Sequence, residues 1–247
     1  MTRPVLAKTI SQFWPLAASD PETVDRYYRT VHSRFARRTL RGMEHVVSYH
    51  TARAEAAYDL NSGWDAPPET FRYVTLRLLP GRSLEFTPEV RSQVSEDHRV
   101  FLRGLRGFAV TEDVLLDRTT GQTSLAKYVV EYDRPPHENA TDGADRLAGQ
   151  LEELTTLATD AFGMRRLVAN HVRTESYAAP IDEPGQAPTG EVLASTQRQS
   201  FVEIFFDHRD WAEEWFGRDA VRSALLGSGW ARVHGVRVAE ECGLDRR

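Results

Sequence analysis

Of the eight histidines in the 247-residue chain, His32 is the one best placed for acid–base chemistry. It follows Tyr28 by one helical turn, in a stretch where Val24, Tyr28, Val31 and Phe35 form a single apolar stripe. An imidazole on that stripe faces a sheet, and apolar surroundings favour its neutral form. A neutral imidazole there can remove a proton from a phenol or an activated carbon. The competing use of His32 is a core histidine bonded to a backbone carbonyl. Tyr28 either donates its phenol to a substrate or fills space. Tyr27, Tyr49, Phe71 and Tyr73 supply aromatic walls for the same cavity. His50 and His171 form a second set, in register between two similar segments, and Glu112 and His234 a third, on the closing strands of two halves. Tyr27, Tyr49, His50, Tyr73, Glu112, His171 and His234 are expected to contact substrate. No carboxylate or second histidine sits at ligand spacing on the strand of His50, so no metal site is expected.

The elements that must position these residues occur twice. GMEHVVSYHTARAEAAY at 42–58 resembles GMRRLVANHVRTESY at 163–177, with Gly42/Gly163, Met43/Met164, Val47/Val168 and His50/His171 in register without gaps and a tyrosine near each end. GFAVTEDV at 107–114 likewise resembles GWARVHGV at 229–236. Each half reads strand, helix, strand, strand, helix, strand. In the first half, Thr9–Leu16 is a strand, and Asp20-Pro21-Glu22 opens a helix with an N-cap carboxylate and proline at the first position. Val46–Arg53 and Phe71–Leu79 are strands; Thr87-Pro88-Glu89 opens a helix with Val90, Val94, Phe101 and Leu105 on its buried face; Gly107–Leu116 closes the unit. The second half runs from Leu125–Tyr132 through a helix near Thr141, strands at Leu167–Thr174 and Phe201–Phe206, a helix capped by Asp207, and Trp230–Ala239. The order βαββαβ predicts a four-stranded antiparallel sheet with both helices on one face. The bare face must be buried, and two fused copies can do so by packing sheet against sheet. The expected fold is α+β: ferredoxin-like units at 1–118 and 119–247 forming one intramolecular barrel. The stretch Ala178–Gln199, rich in proline and glycine, reads as a long loop, either disordered or a lid.

Composition narrows the class. Net charge is −5, with 40% hydrophobic and 27% charged residues, as in ordinary globular proteins. The acidic balance offers no footprint for nucleic acid, and the basic run Arg34–Arg41 suits the end of a helix. Cys242 is the only cysteine, so no disulfide framework exists. The N-terminal segment lacks the pattern of a signal peptide and no apolar run approaches about 18 residues. A cytoplasmic protein is expected. No dinucleotide fingerprint, P-loop, GxSxG elbow or CxxCH sequence is present.

The stretch DPETVDRYYRTVHSRFARRTLRGMEHVVSYH resembles the EthD family of the dimeric α+β barrel superfamily. Tyr27, Tyr28, His32 and Gly42 occupy the motif positions. FGMRRLVANHV in the second half matches the turn and strand but lacks the histidine, whose counterpart falls near Glu153 or Thr155. The resemblance implies a barrel fold and a superfamily of cofactor-free oxygenases, polyketide cyclases, lactone isomerases and haem enzymes. It favours an enzyme acting on an aromatic or polyketide-like metabolite, with an oxygenase ranked first. Cyclase or isomerase chemistry and a non-catalytic binding role are the alternatives. No cofactor is expected, with flavin or haem left open. The partner is a small hydrophobic substrate, and the chain is expected to be a monomer or to dimerise through outer surfaces.

Overall fold

The computed structural model describes residues 6–16, 19–59, 63–66, 68–121, 124–178, 190–193 and 196–246. The first unit comprises β1 (Ala7–Pro15), α1 (Pro21–Tyr27), a π-helical stretch (Tyr28–His32), α2 (Ser33–Arg41), β2 (Val46–Asp59), β3 (Gly63–Ala66), β4 (Arg72–Leu78), α3 (Pro88–Phe101) and β5 (Leu102–Asp117). The second comprises β6 (Ala126–Asp133), α4 (Ala140–Thr159), β7 (Met164–Ala178), β8 (Gly190–Leu193), β9 (Arg198–Phe206), α5 (Arg209–Phe216), α6 (Asp219–Leu226) and β10 (Arg232–Asp245). Strand order is β5-β1-β4-β2 in the first and β10-β6-β9-β7 in the second, the same antiparallel arrangement twice. The two sheets meet at their edges, through β5–β7 and β2–β10, and close an eight-stranded antiparallel barrel. The inner faces of the two sheets pack against each other across the lumen, as expected, and pairing at both edges closes the barrel and leaves no row of unpaired backbone groups there.

Local chemistry explains the helix starts. Asp20 accepts from the Thr23 amide with proline next in line, and Thr87 caps α3 in the same way. Three expectations are corrected. Asp207 does not cap α5; it pairs with Arg165, and His208 is the N-cap residue. Leu105 is a residue of β5, since α3 ends at Phe101 and the chain passes directly into strand. The stretch expected as one loop contains β8, which pairs with β7; residues 179–189 and 194–195 lie outside the described residues, as does the question of a lid.

The wall separates three environments. Outside the first unit, α1–α3 cover a core of Phe13, Val24, Tyr28, Tyr49, Leu76 and Phe101. Outside the second, α4–α6 cover a larger core that includes Leu147, Leu154, Tyr132, Phe206 and Trp215. The lumen holds an apolar middle, with Ile10, Phe108, Val129, Phe201 and Val236. Ion pairs lie beside it: Lys8 with Glu112 and Glu203, Lys127 with Glu203 and Glu240, Arg77 with Glu112, and Arg198 with Glu131. Among the described residues, no helix is long and apolar enough to cross a membrane.

Sheet register corrects the gapless alignments. His50 lies opposite Thr75, itself opposite Ile10 on β1; the corresponding place beside β9 and β6 is held by Val168, opposite Glu203 and Val129. A bulge between Val46 and Ser48 shifts β2 by one residue. Every later side chain therefore changes face relative to Val46. Likewise Val110 pairs with Lys8 and Val238 with Lys127, so Glu112 corresponds to Glu240 and not to His234.

Candidate active site

The first-unit helix layer is built around His32. The π-helical stretch widens the helix for one turn, burying Tyr28 and His32 while Val31 stands 45% exposed. Val31 thus leaves the stripe to which its spacing assigned it. Such single-turn insertions recur at functional sites. His32 Nδ1 lies 2.5 Å from Asp97 Oδ2 on α3, and Tyr27 donates its hydroxyl to Asp97 Oδ1 at 2.8 Å. Burial acts to raise the Asp97 carboxyl, but hydrogen bonding and charge from His32, with the Tyr27 bond, hold it below the usual value. With Asp97 ionised, the His32 Nδ1–H is the natural donor, which leaves Nε2 with the lone pair.

The imidazole stands among aromatic rings. Phe101 lies 5.0 Å away between centroids, Tyr28 4.7 Å, His98 5.2 Å and Phe13 6.2 Å. A cavity of about 100 Å³ opens beside it, lined by Phe13, Tyr49, Leu76, Leu84, Phe86 and Val94 together with His32. Tyr49 reaches the cavity wall, whereas Tyr28 is behind it, with its hydroxyl 3.0 Å from that of Tyr49. Burial pushes the Tyr49 phenol up to about 12 and the Tyr28 phenol well above its ordinary value. Both are neutral at physiological pH. Arg72, fully buried, sits 4.0 Å over the Tyr28 ring and pairs with Asp25. Tyr28, expected at the substrate, does not line this cavity; its hydroxyl meets that of Tyr49 behind the wall.

Of the expected site residues, Tyr27, Tyr28, His32 and Tyr49 are brought together here. Tyr73, His50, Glu112 and His234 are not; they point into the lumen. Tyr73 donates to Glu131 at 2.5 Å, Glu112 accepts from Lys8 and Arg77, His50 lies 3.8 Å from Glu240, and His234 stands opposite Glu131. Strand alternation places Tyr73 one face away from Val74, which belongs to the helix-side core. His171 shares the outer face of β7 with Leu167 and Ala169, beside Asp113. Burial lowers the pKa values of both His171 and His234.

Two residues that spacing along a strand does not reveal complete the site, Asp97 and His98. Their signal lies in α3, where Val94, Asp97, His98 and Phe101 recur at helical spacing. His98 is buried, and burial together with the neighbouring His32 lowers its pKa to about 3 against the pull of Asp97. Ligand atoms of His32, Asp97 and His98 all lie within 4.8 Å of one another, and so do those of His50, Cys242 and Asp245. The expectation that the chain offers no cluster of metal-ligating side chains is corrected: distant segments supply what no single strand does.

No family model matches the chain, and no curated protein does. Solved structures share its fold. A protein described as "putative monooxygenase" from Lactobacillus acidophilus matches with 8% identity and TM-score 0.50, over 96% of this chain and 94% of that one. A "putative monooxygenase" from Fusobacterium nucleatum matches with 10% identity and TM-score 0.52, over 99% and 98%. An anthrone oxidase-like protein matches with 9% identity and TM-score 0.58, over 99% and 96%. The dimeric α+β barrel fold is thereby established; the EthD family itself is not. The expectation of a cofactor-free protein is corrected: chlorite dismutase-like haem proteins are among those with this fold, so the fold does not exclude a haem. The cavity beside His32 does not fit a haem: about 100 Å³ is well below the roughly 300–1,000 Å³ of pockets that enclose such groups, and no step is routed through one.

Proposed function

We propose that the chain is an enzyme acting on a small hydrophobic, aromatic molecule, with its site in the first unit, residues 1–118. The observation that carries this reading is the 2.5 Å contact between His32 Nδ1 and Asp97, set beside an apolar cavity. Asp97 fixes the ring and stabilises the imidazolium that forms when Nε2 takes a proton, the role a buried carboxylate plays behind a histidine base. The cavity wall is apolar, so a hydrophobic phenol or a carbon acid next to a carbonyl is the fitting substrate. Deprotonation by His32 leaves a phenolate or carbanion.

The fold is shared with proteins named as monooxygenases and as anthrone oxidase-like, and this supports oxygenation as the step that follows. The test is turnover of candidate phenols and aromatic ketones by the intact chain, in air and under nitrogen. Oxygen-dependent product is expected. Equal product in both atmospheres replaces oxygenation by cyclisation or isomerisation, and product from His32→Ala at the wild-type rate removes the base mechanism.

A further inference from the structure

We propose that His32, Asp97 and His98 form a binding site for one divalent transition-metal ion of the zinc class. The donors are two imidazoles and one carboxylate, with ligand atoms all within 4.8 Å of one another. Three protein ligands leave a fourth position for water or substrate, the arrangement of sites that keep a metal reactive. Two imidazoles and a carboxylate select borderline ions such as Zn²⁺, Co²⁺ and Fe²⁺ over Mg²⁺ or Ca²⁺.

Three further observations point to a ligand. His98 is 9% exposed, and among the described residues its ring makes aromatic contacts and no hydrogen bond. A neutral imidazole carries one ring-nitrogen lone pair, the donor a metal needs. Asp97 is already oriented by a second residue, since Tyr27 holds Oδ1 and leaves Oδ2 directed at His32. Partners of this kind are what orient the ligands of real metal sites. Finally, the ligands come from two rigid elements, the π-helical stretch and α3, packed together by Phe101 and Phe13. The other close group, His50, Cys242 and Asp245, lies at the edge of the sheet with two exposed members. It serves as the internal control.

The geometry alone supports the site, whereas its consequence for turnover rests on the acid–base reading. An ion held between His32 Nδ1 and Asp97 Oδ2 displaces the proton they share to Nε2, the atom the base needs free, so metal occupancy and proton abstraction exclude each other. The probe is Co²⁺ added to the intact chain after treatment with a chelator, followed by visible absorbance and calorimetry. One ion per chain is expected, with ligand-field bands displaced by Zn²⁺. His98→Ala and Asp97→Asn should each weaken binding by at least roughly tenfold, since even outer-shell partners are worth about 10–100-fold. Cys242→Ser should leave it unchanged. His98→Gln, closer in size, serves if the alanine variant does not fold, as checked by circular dichroism. Failure to bind stoichiometrically overturns the site, and so does binding that survives both His98 and Asp97 substitutions. Turnover that persists with the site saturated by Zn²⁺ overturns the base role of His32 instead and leaves the metal site standing.

Discussion

The two helix layers cover the same wall in the same order and yet differ in kind. In the second, α4–α6 cover a densely buried core: Leu147, Leu154, Phe206 and Trp215 are buried with apolar neighbours. The polar tips there are satisfied by protein, Tyr132 donating to the Leu225 carbonyl and Trp215 to the Leu157 carbonyl. In the first, a π-helical turn brings a histidine inward, α3 answers with an aspartate and a second histidine, and a cavity remains. One layer is spent on stability and the other on a site. An unfilled cavity forgoes dispersion contacts and apolar burial, so it persists where the surrounding elements supply the stability.

That contrast can be broken most decisively at the dyad. Asp97→Asn and His32→Ala should lower turnover by about 10²–10⁴-fold, the usual worth of positioned acid–base catalysis, with thermal stability changed by no more than about 1–2 kcal/mol. The measurement is steady-state kinetics beside thermal denaturation. If either variant unfolds while the folded remainder keeps full activity, the dyad is structural and the two layers are alike.

The next largest effect belongs to the filled layer. Leu154→Ala should cost about 2–5 kcal/mol in denaturant unfolding, because a packed core cannot collapse onto the void. Leu84→Ala, on the rim of the first-unit cavity and partly exposed, should cost about 1 kcal/mol or less. Comparable costs at the two positions would show that the first layer is packed as tightly as the second.

The lumen, shared by both units, sharpens the comparison through pH. Desolvation alone would raise Glu203, but Lys127 and Lys8 hold it well below the ordinary carboxylate value; Glu112, with Lys8 and Arg77, and Glu240, with Lys127, are likewise depressed. Each titrates lower in the folded than in the unfolded chain, where the reference value is 4.5. Their stabilisation is therefore complete above that value and is lost as pH falls through the depressed folded values. Urea midpoints taken from pH 7 to pH 3 should drop steeply at the acidic end. A flat profile would mean that these pairs contribute no linkage.

The smallest effect is expected behind the cavity wall. Tyr28→Phe removes the hydroxyl that meets Tyr49 and should reduce turnover only a few-fold, since one neutral hydrogen bond is worth about 1 kcal/mol. Tyr49→Phe should cost more, as Tyr49 itself lines the cavity. The reverse order would place Tyr28, not Tyr49, against the substrate.

Much of the architecture was written in local chemistry. The caps at Asp20 and Thr87, the apolar helical spacing of Tyr28 and His32, and the βαββαβ order are properties of short segments, set by dihedral preference and periodicity. A further local signal went unused: Ala7-Lys8 and Ala126-Lys127 begin equivalent strands, and both lysines enter the lumen. The face to which His50 or Tyr73 points was not local. A one-residue bulge in β2 reverses every side chain beyond it, and nothing in GMEHVVSYH marks where that bulge falls. Nor was the lumen's ionic filling legible, because Lys8 and Glu203 are 195 residues apart. The composition and spacing of the chain decided that two α+β units would form and that one of them would carry an inward histidine. Tertiary packing alone decided that Asp97 and His98 would meet it, because α3 and the π-helical turn become neighbours only when both cover the same sheet.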